Sequence, residues 1–208
     1  MSVASTPVFS GLVAAPAVPS EPIWRISLER YQAMIASGTL SAEDPVELLE
    51  GWLVYKMPKN PPHESCLDAV LAVIPALLPK GWFLRIQQTI QTSDSQPEPD
   101  ASIVRGDRHQ YASRHPRADD LGLVIEVADS TLRTDRGIKR RLYARAGIAN
   151  YWIINLPDRV VEVHSEPVLT EGIAEYRSQC SYSATEQVPL ILDAQLVVQI
   201  SVAELLPG

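Results

Sequence analysis

Glu126 is the residue whose position most strongly indicates chemistry. It lies in residues 121–127, where both alternating faces are apolar, as in a central strand covered on both sides. The alternation places Leu121, Leu123, Ile125 and Val127 on one face and Gly122, Val124 and Glu126 on the other. A carboxylate in that setting loses its hydration and needs a proton, a cation or a metal ion. The alternative is that Glu126 marks the end of the strand and pairs with a nearby arginine.

Asp100 is the natural companion of Glu126. It follows Pro99 at the start of the preceding predicted strand, residues 101–104. If the two strands pair, both carboxylates converge on one point, and two hard oxygen ligands plus waters suit Mg²⁺. Taken alone, however, Pro-Asp before a strand is also a common turn.

Lys139 is a candidate cation for the same place. The sequence predicts a helix that begins at Ser130 or Thr131 and runs to about residue 146. One stripe of this helix holds Asp135, Lys139 and Tyr143, beside an apolar stripe of Ile138, Leu142 and Ala146. Lys139 can therefore point back over the strand end, where its ammonium can hold a phosphate or polarise a water. On spacing alone, an ordinary Asp–Lys pair on a solvated face, worth about 0.3–0.5 kcal/mol, is the favoured alternative.

The charge of the chain is uneven. The 208 residues carry a net charge of −7, which argues against nucleic-acid binding over the whole surface. Residues 105–145 nevertheless hold ten basic and six acidic residues, a balance of +4 that leaves −11 elsewhere. Within them, the long connection 106–120 carries Arg108 and Arg114 among histidines and a tyrosine, side chains that can contact a nucleic-acid backbone and stack on bases. A solvated charged loop is the alternative.

The length and composition predict one domain at residues 22–208, after a flexible leader at residues 1–21. Strands in a run, then a helix, then strands again indicate an α/β or α+β sheet with helices packed on it. The two cysteines, far apart, are expected to be reduced thiols of a cytoplasmic protein. No apolar run is long enough to predict a membrane span.

In order and spacing, these residues resemble the bacterial putative-restriction-endonuclease family of the PD-(D/E)XK nuclease superfamily. The resemblance covers roughly residues 24–206 and implies a restriction-endonuclease-like mixed central sheet flanked by helices, with additional strands. The matching motifs are Glu47-Leu48-Leu49-Glu50-Gly51, Pro62-His63, Pro99-Asp100, Glu126-Val127, Asp135…Lys139…Tyr143, Ala146-Gly147-Ile148 and Tyr151-Trp152-Ile153.

The resemblance also implies roles for individual residues. The superfamily places a lysine two residues after the second carboxylate, where this chain has Ala128, so the lysine is implied to have moved to Lys139. Glu47 matches the early glutamate of the family and is implied as a third metal ligand, with Glu50 as its rival. Asp129 adds a carboxylate without an assigned role.

The predicted function is metal-dependent phosphodiester hydrolysis by an endodeoxyribonuclease, with DNA as substrate. Asp100, Glu126 and Lys139 are the predicted catalytic residues, and Asp100, Glu126 and Glu47 the predicted ligands of Mg²⁺ or Mn²⁺. The predicted substrate-binding residues are His63, Tyr143, Arg108 and Arg114, and Tyr143 and Asp135 are predicted to set the position of the lysine. A homodimer is expected by analogy with the fold.

Two other functions remain open at this point. A catalytically silent nuclease fold can serve as a DNA-binding or protein-interaction module, which should take up no Mg²⁺ at Asp100 and Glu126. A metal-dependent hydrolase of small phosphoesters is the third, although the arginine-rich connection favours a long polyanion.

Overall fold

A six-stranded mixed sheet forms the centre of the domain. The computed structural model describes residues 22–41 and 43–207, so the predicted leader at residues 1–21 lies outside the described residues. The elements in chain order are α1 (Leu28–Ala36), β1 (Val46–Leu49), β2 (Trp52–Tyr55), α2 (Pro61–Leu77), β3 (Trp82–Ile86), β4 (Ala101–Arg105), β5 (Leu121–Ala128), α3 (Leu132–Thr134), a π-helical turn (Asp135–Lys139), α4 (Arg140–Arg145), β6 (Asn150–Asn155), β7 (Val160–Thr170), β8 (Ile173–Ser183), β9 (Gln187–Leu192) and β10 (Gln195–Ser201). Short 3₁₀ turns lie at Arg108–Tyr111, Ala118–Asp120 and Val202–Glu204.

The sheet has the strand order β3-β4-β5-β6-β7-β8. Strands β5 and β6 are parallel, and every other neighbouring pair in this sheet is antiparallel. Two separate hairpins, β1–β2 and β9–β10, flank it. The structure confirms the predicted mixed sheet with flanking helices and additional strands.

Each face of the sheet has its own apolar core. On one face, α2 and the β9–β10 hairpin pack on β4, β5, β6 and β7, and Trp152 is the largest side chain buried there. On the other face, α4 packs on β5 and β6 through Leu142 and Tyr143. Helix α2 starts where the sequence permits it, because Asn60 accepts a hydrogen bond from the His63 backbone and two prolines fill the first turn.

Strand β5 is irregular at Gly122, which corrects the predicted alternation. Ile103 of β4 pairs with Leu123, but Val104 pairs with Leu121, so Gly122 is an extra residue. Leu121 therefore packs with Val124 on the α4 face rather than with Leu123. Glycine fits here because a Cβ would lie 2.5 Å from Leu192 Cδ2 and 2.7 Å from Trp82 Cζ3. Beyond the bulge, Glu126 remains on the α4 side, as the alternation predicts.

Two expectations from the sequence concern membrane spans and the state of the cysteines. Among the described residues, no helix is both long and apolar enough for a span. Cys66 is buried and Cys180 is exposed, and both are free cysteines.

His164 on β7 predicts a pH dependence of stability that is separate from the candidate site. It is 1% exposed, and neither ring nitrogen has a hydrogen-bond partner within the described residues. Burial, with the positive charge of Arg140 close by, lowers its pKa from 6.5 to about 4. In this window the unfolded chain binds a proton and the folded chain does not, so stability is lost as the pH falls from 6.5 to 4.

The loss from this one group is about 3 kcal/mol at the acidic end. We expect His164→Phe to retain the ring packing between Tyr151 and Tyr176 and to remove this part of the acid sensitivity. Urea unfolding of the wild type and of His164→Phe at pH 6.5 and pH 4 measures this change in the free energy of unfolding. Parallel losses in both proteins would show that His164 does not cause the effect.

Candidate active site

The candidate site is a cleft at the edge of the sheet where β4 begins and β5 ends. Because these strands are antiparallel and Ala101 pairs with Ile125, Asp100 comes to lie beside Glu126. The cleft has a volume of about 330 Å³. Its lining includes Glu47, His63, Asp100, Glu126 and Lys139, and we call it the carboxylate cleft.

Glu126 lies at the floor of the carboxylate cleft with both oxygens engaged. Lys139 Nζ lies 2.9 Å from Oε2, and the Tyr143 hydroxyl donates to Oε1 at 2.7 Å. The side chain is 3% exposed. Burial raises its pKa well above the ordinary value, and the carboxylates of Asp100, Asp135 and Glu47 add to that shift against the opposing charge of Lys139. Its partner is therefore the lysine and not an arginine.

Lys139 brings one positive charge to several carboxylates. Besides Glu126, its Nζ lies 3.8 Å from Glu47 Oε1 and 3.8 Å from Asp135 Oδ1. Burial opposes the charged form, but the surrounding carboxylates outweigh it and raise the pKa of Lys139 well above the ordinary value. The ammonium is thus held charged with its side chain 11% exposed to the cleft.

The helical segment that presents Lys139 is not a regular α-helix. Asp135–Lys139 is a π-helical turn between α3 and α4. A π turn inserts an extra residue into the helix, and such turns often occur at functional sites. Here it lets Lys139 reach Glu126 Oε2 while Tyr143 in α4 reaches Oε1 of the same carboxylate. The sequence predicts the helix but not this turn.

Asp100 is oriented from both sides. His63 Nε2 of α2 lies 3.1 Å from Oδ1, and the Val127 backbone N–H donates to Oδ2 at 2.8 Å. Although burial acts in the opposite direction, the hydrogen bond with His63 and the positive charges nearby lower the pKa of Asp100. Asp100 is therefore held as a carboxylate next to Glu126, whose pKa moves the other way.

The two early glutamates have different surroundings. Glu47 on β1 accepts a hydrogen bond from the Glu98 backbone N–H at 2.9 Å and turns its other oxygen toward Lys139. Glu50 at the β1–β2 turn instead accepts hydrogen bonds from Arg141, at 2.9 and 2.6 Å, and from Arg145 at 2.9 Å. The geometry thus places Glu47 in the carboxylate cleft, whereas Glu50 ties the hairpin to α4.

We expect Glu47→Gln to lower activity with little loss of stability, and Glu50→Gln to lower stability with little loss of activity. The charges of Arg141 and Arg145 overcome burial and lower the pKa of Glu50, so its stabilisation is present above the ordinary pKa of 4.5 and is lost as the pH falls below it. The expected loss at neutral pH is about 1–3 kcal/mol, for a buried group bonded to charged partners. Denaturant unfolding and cleavage rates of both variants measure the split, and the reverse pattern would contradict these assignments.

Three of the predicted substrate-binding residues, Arg108, Arg114 and Tyr143, are not among the residues that line the carboxylate cleft. The connection 106–120 joins the far ends of β4 and β5, so Arg108 and Arg114 are not among the residues that line the carboxylate cleft. Arg114 is bound by both oxygens of Asp120 and lies over the ring of Tyr111. Tyr143 is fully buried, and its hydroxyl bonds Glu126, the carboxylate that also contacts Lys139. Among the predicted set, His63 does line the cleft.

Residues that the sequence analysis left unassigned complete the walls. Asn60 Nδ2 donates to Asp129, and both residues line the cleft. Lys56 Nζ lies 3.3 Å from Glu98 Oε2, and this pair also lines a second recess of about 320 Å³ beside the first. The position of Asn60 directly before two prolines indicates a helix cap, but the sequence does not indicate its hydrogen bond with Asp129.

The donor chemistry of the carboxylate cleft fits Mg²⁺ or Mn²⁺. Four carboxylates surround one ammonium, and one buried oxygen, Asp135 Oδ1, has no hydrogen-bond partner among the described residues. Hard oxygen donors with excess negative charge are what these cations prefer. Across residues 22–41 and 43–207, no three Asp, Glu, His or Cys side chains already have the spacing of a metal-binding group. The fit therefore rests on donor type and charge.

A mixed sheet with two carboxylates and a lysine at one edge defines a restriction-endonuclease-like domain. The chain belongs to the Uma2 family, described as "Putative restriction endonuclease", whose model matches residues 28–203. A similar solved structure is a putative nuclease belonging to DUF820 from Anabaena variabilis ATCC 29413, with 16% identity and a TM-score of 0.65. The match covers 86% of this chain and 97% of that one, and it supports the fold. None of the curated proteins matches the chain significantly.

Proposed function

We propose that this protein is a Mg²⁺- or Mn²⁺-dependent endodeoxyribonuclease whose active site is the carboxylate cleft. The observation that supports this most is the buried contact of Lys139 with Glu126 beside the oriented carboxylate of Asp100. A buried cluster with more carboxylates than cations costs folding free energy, so its presence in an accessible cleft favours a functional role. The family description agrees with a nuclease.

Asp100, Glu126 and Glu47 are the residues that would hold the cation. When bound, the cation supplies a water of lowered pKa and stabilises negative charge on the scissile phosphate. Lys139 orients the attacking water or neutralises the phosphate, because its ammonium reaches the cleft beside Glu126. His63 orients the Asp100 carboxylate beside Glu126, and the Tyr143 hydroxyl orients the Glu126 carboxylate.

The charge of the cleft itself supports the need for a cation. Glu47, Asp100, Glu126 and Asp135 together exceed the charge of Lys139, so an approaching phosphate meets net repulsion. That repulsion would be reduced if the carboxylates held a divalent cation where the phosphate must come closest. Cleavage is accordingly expected only with Mg²⁺ or Mn²⁺ present, and chelation is expected to abolish it.

Cleavage of circular DNA tests this proposal. Supercoiled plasmid and single-stranded circular DNA are incubated with the purified protein and Mg²⁺, Mn²⁺ or EDTA. Linear or nicked products with either metal and none with EDTA are expected. A predicted homodimer with two sites would convert plasmid directly to the linear form, and a single site would nick it first. Absence of cleavage with both metals would contradict the proposal.

The module without catalysis is less well supported than the nuclease. Such a module has no use for a buried lysine among four carboxylates, and the cleft gives Asp100 and Glu126 a shared access to solvent. Calorimetric titration with Mg²⁺ separates the two functions, because only the nuclease should bind the ion in a manner that depends on Asp100 and Glu126.

A further inference from the structure

We infer that the rim of the carboxylate cleft binds single-stranded DNA, with Tyr55 stacking on a base and Lys59 contacting a phosphate. The inference rests on the proposed function and names the form of substrate that the same cleft takes. The rim is residues 55–60, from the last residue of β2 to the residue before α2, and all six of its residues line the cleft.

The depth of the site favours a separated strand. The side chains at its floor are almost covered, with Glu126 at 3%, Lys139 at 11% and Asp100 at 14% exposure. A scissile phosphate must therefore enter a recess of about 330 Å³ to reach them. An intact duplex is far wider than such a recess and resists sharp bending. A single strand is more flexible and can bring one phosphate into the recess.

The rim exposes an aromatic ring where unpaired bases would emerge. Tyr55 is 74% exposed and Met57 is 56% exposed. Neither side chain is part of the apolar clusters that stabilise the described fold. Exposed aromatic rings beside a nucleic-acid path stack on bases of any sequence, which is how single strands are bound without base-specific hydrogen bonds. Stacking of this kind is available only to a base that has left its duplex.

The charges on the rim suit a backbone at close range. Lys59 is exposed and forms no ion pair within the described part of the chain, whereas Lys56 is paired with Glu98. The net charge of −7 gives the protein little long-range attraction for a polyanion. Binding therefore depends on a few local contacts, and loss of one of them should have a measurable effect.

Binding of fluorescent oligonucleotides tests the inference without any cleavage step. The probes are oligothymidylate of about 12 nucleotides, a duplex of equal length and a strand of equal length without bases, each in EDTA and again in Ca²⁺. We expect the thymidylate to bind more tightly than the duplex. Tyr55→Ala should weaken thymidylate binding about 5- to 100-fold and leave the strand without bases unaffected, while Tyr55→Phe retains affinity.

Trp24→Ala is the matched control, because Trp24 is 68% exposed and does not line the cleft. Both alanine variants should melt at the same temperature as the wild type. Equal affinity of Tyr55→Ala and Trp24→Ala for thymidylate, or duplex binding as tight as single-strand binding, would overturn the inference. If Tyr55→Ala binds thymidylate normally while the wild type cleaves DNA, the binding role of the rim is refuted and the nuclease proposal stands. If the wild type binds single strands but shows no metal-dependent cleavage, the nuclease proposal is refuted and the binding role of the rim stands.

Discussion

Asp100→Asn is expected to lower metal-dependent DNA cleavage by at least about 100-fold, with the fold unchanged. The substitution keeps the size of the side chain but removes the negative charge that lies beside Glu126 at the floor of the cleft. It also replaces one oxygen that now accepts the Val127 N–H or faces His63. Initial rates at saturating Mg²⁺, with circular dichroism of both proteins, measure the effect.

Asp193→Asn is the control for this prediction. Asp193 is an exposed carboxylate that pairs with Arg105 at the opposite end of β4, so its loss should change the rate less than about two-fold. Cleavage by Asp100→Asn within a few-fold of the wild type would remove Asp100 from the catalytic set. Equal losses in both variants would point to a general effect of charge on DNA binding.

Lys139→Met is expected to abolish cleavage and to lower the free energy of unfolding by about 3–5 kcal/mol. The variant leaves the carboxylates of Glu126, Glu47 and Asp135 buried without their ammonium. Because these neighbours raise the pKa of Lys139, its stabilisation is fully present below the ordinary pKa and is lost only as the pH rises through the raised value. Urea unfolding at neutral pH and plasmid cleavage measure the two effects.

Two further variants separate the effect of charge balance on stability from the effect of packing. Arg133→Met removes an exposed cation from the same helical segment and should alter stability by less than about 0.5 kcal/mol. The double variant Glu126→Gln, Lys139→Met should recover part of the lost stability, because one uncompensated charge is removed with the lysine. Additive losses in the double variant would show that Lys139 and Glu126 are not energetically coupled.

The main strands and helices were predictable because their apolar periods are strong. Residues 121–127 read as a strand buried on both faces, and β5 spans Leu121–Ala128. The apolar runs at residues 190–192 and 196–200 likewise predict a hairpin, and they lie in β9 and β10, which pair. The bulge at Gly122 was not predictable, because it depends on Trp82 and Leu192 packing against that backbone from distant parts of the chain.

Sequence spacing predicts that Asp100, Glu126 and Lys139 lie close together, but it does not predict all of their contacts. The convergence of Asp100 and Glu126 follows from pairing of β4 and β5. The same pairing places the connection 106–120 at the opposite ends of these strands, so Arg108 and Arg114, predicted to bind substrate, do not line the cleft. The π-helical turn at Asp135–Lys139 precedes the helix in which Tyr143 bonds Glu126, and no local sequence pattern indicates the turn.

A crystal of the protein soaked in Mn²⁺ tests the central claim most directly. We expect an anomalous peak in the carboxylate cleft, with carboxylate oxygens of Asp100 and Glu126 at about 2.0–2.4 Å from the ion. The same soak of Asp100→Asn should show no peak there. A wild-type cleft without manganese, when the ion binds elsewhere in the same crystal, would contradict the assignment of this cleft as a metal-dependent nuclease site.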